Sequence, residues 1–151
     1  PDLYWTAPMK TTHLMFLLAS TIGIATTAVA GPALDMAQAH FAAIGAGEHA
    51  AIVHDYADNA RLTWVGGPLD GSYDGAAAIG AVWSKFGAMG PLRVTVMGAS
   101  ESVNPKGATV TAAVQFDGKA SIKVRYVLTY RDGKLVNETW QIDPKLAASA
   151  M

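Results

Sequence analysis

Hydrophobic and polar positions along this chain follow two periods in turn, and the change from one to the other falls in the middle. From Leu34 to about Ala46, residues Met36, Ala37, His40, Phe41 and Ile44 recur at helical spacing on one stripe, with Asp35 near the start and Gly45 and Gly47 near the end. This predicts a first helix. A second, shorter helix is predicted from Glu48 to about Tyr56; Asp58-Asn59 then punctuates the chain, and ARLTWV alternates as a strand with Leu62 and Trp64 on one face. GGPLDGSYDG reads as a loop, with Asp74 placed to cap a third helix whose buried stripe is Ile79, Val82, Trp83 and Phe86.

After Pro91 the period is two. LRVTVMGASESV, ATVTAAVQF, KASIKVRYVLTYR and KLVNETWQID read as four antiparallel strands separated by NPKG, DG and DG turn signals. In the third of them Ile122, Val124, Tyr126, Leu128 and Tyr130 share one face, while Lys119, Ser121, Lys123, Arg125 and Thr129 share the other. One face is buried and the other largely wet. Helices first and a one-faced sheet afterwards predict an α+β domain: three N-terminal helices pack on a curved antiparallel sheet, a cone that encloses a pocket.

The N-terminus follows a different logic. Met9-Lys10 precedes an apolar run from Leu14 to about Ala25, and Ala28-Val29-Ala30 stands ahead of Gly31-Pro32. That is the pattern of a signal peptide cleaved near Ala30/Gly31, with a run too short and too interrupted by Thr and Ser for a comfortable membrane anchor. Residues 1–8 then read as an upstream remnant and 31–151 as one domain. A secreted or periplasmic protein is expected, without stable membrane association after cleavage. The formal net charge of −1 gives no footprint for nucleic acid, and the absence of cysteine removes disulfides, zinc-thiolate sites and thiol catalysis. A small apolar or amphipathic partner fits better.

Two stretches carry a resemblance. AGEHAAIVHDYADNA is similar to the second-helix segment ending in Tyr-Ala-Asp-Asp of the nuclear transport factor 2-like (cystatin-like) superfamily, and SYDGAAAIGAVW to its Tyr-x-Gly-x-x-Ala-Ile start of helix three. With the element order, the chain resembles the SnoaL-like and ketosteroid isomerase-like branches over essentially all of residues 31–151. In the isomerase branch the first strand carries an Asp general base, and gapless matching puts Trp64 there. The same matching puts His40 at an oxyanion-binding Tyr and Tyr126 at a protonated Asp. All three types depart from that pattern, and indole cannot accept the proton, so negligible steroid isomerase activity is expected.

Other chemistry has to be read from the residues themselves. Parity in the last strand places Val136, Glu138, Trp140 and Ile142 on one face, which makes Glu138 a carboxylate among apolar and aromatic neighbours. Glu138, His40 and Tyr126 are the candidate acid-base set; the alternative pairs Glu138 with a cation such as Arg125 or Arg93 for structural reasons. Phe41, Leu62, Trp64, Trp83, Phe86, Val124, Leu128, Trp140 and Ile142 are the expected pocket lining. His49, His54, Asp55 and Asp58 match no zinc spacing and read as a solvated face, so no metal and no cofactor is expected. Asn137-Glu138-Thr139 fits a glycosylation sequon, a weak signal within a strand.

Three functions stay open. The leading expectation is a cone that holds a small, largely apolar molecule, open to acid-base chemistry by Glu138 and His40 assisted by the Tyr126 hydroxyl; the alternatives are a non-catalytic binding or assembly module, or a homodimer whose working surface is the outer sheet face with Lys123, Arg125, Thr129 and Thr139. Catalysis needs converging polar groups, a binder needs volume, and an assembly module is free to fill its cone with side chains.

Overall fold

The computed structural model describes residues 31–147; the expected signal peptide and the expected remnant before it lie outside them. Helix α1 spans Pro32–Ala46, with proline preset for the first helical turn, α2 spans His49–His54 and α3 spans Ala76–Gly87. The strands are β1 Tyr56–Val65, β2 Gly71–Asp74, β3 Arg93–Asn104, β4 Gly107–Asp117, β5 Ser121–Arg131 and β6 Lys134–Ile142. They form one sheet in the order β2-β1-β6-β5-β4-β3, antiparallel except where β1 runs parallel to β6. The expected α+β cone is the fold.

Four local expectations are corrected. Helix α2 stops before Tyr56, because the Asp55 carbonyl accepts the Leu135 N–H at 2.7 Å and turns the chain into the sheet. The supposed loop contains β2, and Asp74 does not cap α3: it lies opposite Arg61 in the β1–β2 register and binds that guanidinium at 2.6 Å, while Gly75 takes the N-cap position without a side-chain bond. In β6 a register shift opposite Thr129/Tyr130 turns Leu135 inward in place of Val136. The Asp132-Gly133 turn between β5 and β6 has φ 50° and 71°, the two positive values that a tight hairpin requires and that Asp-Gly tolerates.

The core lies between the concave sheet face and the helices. Ala37, His40, Phe41 and Ile44 of α1 and Ile79, Val82, Trp83 and Phe86 of α3 face Leu62, Trp64, Val110, Val114, Phe116, Val124, Tyr126, Leu128 and Trp140. Trp140 is the hub. Its ring centroid lies 4.6 Å from Trp64 in a stacked pair and between 5.1 and 5.4 Å from Phe116, Tyr126, Phe86 and Trp83. These spacings are those of direct aromatic contact, so rings occupy the interior of the cone.

Candidate functional site: a buried carboxylate held by two phenols

Glu138 enters the core from β6, where its registered neighbours are Leu62 on β1 and Leu128 on β5. Apolar walls on both sides leave its oxygens dependent on side chains that reach across the cone. Tyr126, on the same face of β5, donates its O–H to Oε1 at 2.5 Å; Tyr56, the first residue of β1, donates to Oε2 at 2.5 Å. The Trp83 indole N–H on α3 donates to the Tyr56 oxygen at 2.8 Å. Nε2 of His40, from α1, lies 3.4 Å from Oε2 and 3.5 Å from the Tyr56 oxygen. One carboxyl group thus ties α1, α3, β1 and β5 to β6.

The electrostatics follow from burial. Glu138 is 1% exposed and Tyr126 0%. Burial first, and then the Glu138 charge, pushes both the Tyr56 and Tyr126 phenols well above their ordinary value, so both remain protonated donors. Short bonds from O–H to a carboxylate are the strong, charge-assisted kind.

The three candidate acid-base residues are therefore brought together, with Tyr56 as a fourth member that the sequence reading took for the end of a helix. Tyr56 has the parity of Ala60, Leu62 and Trp64 and is buried with them; it was hidden because the residues leading up to it read as helix, and a register slip between Tyr56 and Arg61 separates it from the rest of the strand. The proposed cations are engaged elsewhere: Arg125 pairs with Asp143 at 3.4 Å and Arg93 with Asp117 at 3.8 Å. Of the expected lining residues, eight are buried in contact with the same core, joined by Phe116, which the sequence reading left out. Ile142 sits instead at the rim, beside a cavity of ~220 Å³ shared with Ser121, Ile122, Lys123 and Pro144.

Volume is what this site lacks. Glu138, Leu62, Val124, Leu128 and Trp140 are each between 0 and 1% exposed, leaving no water-sized space against them. A larger cavity, of ~330 Å³, lies between the start of α1 and the β3–β4 and β5–β6 turns and touches neither Glu138 nor His40. Three buried nitrogens, His40 Nδ1, Trp64 Nε1 and Trp140 Nε1, have no hydrogen-bond partner among the described residues. The histidines of α2 serve other ends: His49 Nε2 lies 2.9 Å from the Gly80 carbonyl and links α2 to α3, and His54 meets Asp55 at the surface. Among the described residues no three His, Cys, Asp or Glu side chains stand as a metal-ligand group.

The comparisons with known proteins agree with this architecture. An NTF2-like protein of unknown function from Pseudomonas putida superposes with a TM-score of 0.62 at 18% identity, covering 78% of this chain and 89% of that one. A protein from Xanthomonas campestris described as a putative calcium/calmodulin dependent protein kinase II association domain gives 0.61 at 17%, covering 78% and 91%. A hypothetical protein with a ketosteroid isomerase-like fold from Catenulispora acidiphila, in complex with trimethylamine, gives 0.57 at 14%, covering 73% and 86%. At these identities the likeness is one of fold. No curated protein matches the sequence. The family model of the SnoaL-like domain matches residues 37–138, well over half of the chain, from α1 to the buried carboxylate itself, and the chain belongs to that family.

Proposed function

We propose that this protein is an exported, non-catalytic SnoaL-like module that works as a homodimer through the outer face of its sheet. The observation that carries the non-catalytic reading is the saturation of Glu138: both oxygens are taken by phenols, and no reacting atom fits within the ~3 Å that proton transfer requires. A cone filled with rings suits an assembly module, and the outer face offers a broad mixed surface with Thr129 and Thr139 half-buried and Arg125 exposed. The association-domain description of the Xanthomonas neighbour is in keeping with this use of the fold.

Sedimentation velocity of the purified chain from Gly31 onward tests it. A dimer at micromolar concentration is expected. Thr139→Arg, in the middle of the outer face opposite Thr63 and Val127, should convert it to monomer with little change in melting temperature. A wild type that stays monomeric at all concentrations overturns the dimer.

One observation favours a second reading, a small, largely apolar molecule bound in an opened cone. An unpaired buried N–H costs about 1–3 kcal/mol, and the indole nitrogens of Trp64 and Trp140 both lack partners among the described residues, in one core. A ligand carrying hydrogen-bond acceptors would satisfy them; the trimethylamine complex of the Catenulispora protein is a case of a small guest on this fold. Native mass spectrometry decides between the readings. The expected spectrum is the bare protein mass; a retained small molecule, lost in Trp140→Phe, would establish the binder.

A further inference from the structure

We infer that Glu101 is a receptor for a newly formed chain end: once the peptide bond between Ala30 and Gly31 is cut, the Gly31 α-ammonium pairs with the Glu101 carboxylate and locks the start of α1 onto β3. The inference rests on the export reading above for the cut, and on the geometry of residues 31–34 for the pairing.

Helix α1 has no side-chain cap of its own, because Gly31 stands at its N-cap. The capping group comes from 67 residues away: Oε2 of Glu101 accepts the Leu34 N–H at 2.6 Å. The other oxygen, Oε1, lies 1.8 Å from where a Cβ on Gly31 would stand, so any residue with a side chain would have to push the carboxylate aside. Glycine is therefore the residue that allows this contact. The Gly31 nitrogen is bonded to the same Cα, which puts it within a few ångström of Oε1.

In the uncut chain that nitrogen is a neutral amide. Hydrolysis by a signal peptidase adds water across the bond; Ala30 leaves as a carboxylate, and the Gly31 amine takes up a proton, as α-amino groups of ordinary pKa about 8 do at neutral pH. A bare ammonium at a helix N-terminus opposes the helix dipole. Glu101 stands between the two, one oxygen toward the helix amide and one toward the new charge. The ~330 Å³ cavity lined by Pro32, Met36, Glu101 and Val103 leaves the end room to settle.

The test compares the chain beginning at Gly31 with one that retains Ala28-Val29-Ala30, each with Glu101 and with Glu101→Gln, at pH 6.5. The Gly31 form should melt about 3 °C above the extended form, and the gap should close in Glu101→Gln. Acetylating the Gly31 amine should close it equally, which keeps the test open if Glu101→Gln folds poorly. Equal melting of the two wild-type forms, or a gap that survives acetylation, overturns the pairing. Intact mass of the protein recovered from its native envelope or medium is a separate measurement: a mature form that does not start at Gly31 removes the export premise while leaving the geometry of the pair standing.

Discussion

Glu138→Gln is expected to lower unfolding stability by about 3 kcal/mol and the melting temperature by roughly 10 °C, although it changes the side-chain volume hardly at all. The carboxylate accepts from Tyr126 on one oxygen and from Tyr56 on the other. An amide keeps one acceptor and puts an NH2 donor against a phenol that is itself a donor. One phenol must turn its hydroxyl away, and at Tyr56 the oxygen would then have to accept from the amide as well as from the Trp83 N–H. Two charge-assisted bonds of about 1.5–3 kcal/mol each are lost or weakened, with no water-sized space in which solvent could replace them. Denaturant unfolding at neutral pH measures the loss. An unchanged or raised stability would mean that the carboxylate is strained rather than held, as a poised catalytic group would be, and would revive the acid-base reading of Glu138, His40 and Tyr126.

Alkaline solution should unfold the domain steeply. Tyr56 and Tyr126 are pushed well above the ordinary phenol value by burial and then by the Glu138 charge, and Tyr130 is pushed up by burial, Glu138 and Asp55. In the unfolded chain all three ionise near pH 10. A folded pKa raised above the unfolded one means that the contribution is present in full below about pH 10 and is lost as pH rises toward the folded value. Each such group removes about 1.4 kcal/mol per pH unit, so the three together remove about 4 kcal/mol per unit. Against a typical domain stability of about 5–15 kcal/mol, unfolding should set in within about one to four units above pH 10. Tyrosinate absorbance of the buried phenols should rise together with the loss of near-ultraviolet circular dichroism. Ionisation of these phenols near pH 10 with the dichroism intact would contradict the closed network.

Periodicity made most of the fold legible because it depends on neighbours along the chain. The stripe of His40 and Phe41, the third-helix stripe through Trp83, and the alternation that turns Val124, Tyr126 and Leu128 of β5 and Glu138 and Trp140 of β6 inward all stand in the structure. Where strand pairing inserted or displaced residues, local reading failed. The bulge at Thr129/Tyr130 exchanged Val136 for Leu135, Tyr56 was hidden because the residues before it read as helix, and the four-residue β2 is a strand only because β1 lies beside it. Asp74 had the sequence position of a helix cap; a cross-strand arginine claimed it first.

The chemistry of the core divides along the same line. That Glu138 faces inward is a property of parity and was available from VNETWQI alone. That its two oxygens are met by phenols from β1 and β5, that His40 approaches from α1, and that rings leave no room beside them depend on contacts spanning 12 to 98 residues of chain. Separations of that kind are set by how the sheet curves and how closely the helices settle on it, a balance of packing among many side chains that no local pattern encodes. The sequence by itself determined which residues look into the cone; the tertiary structure decided that they look at one another.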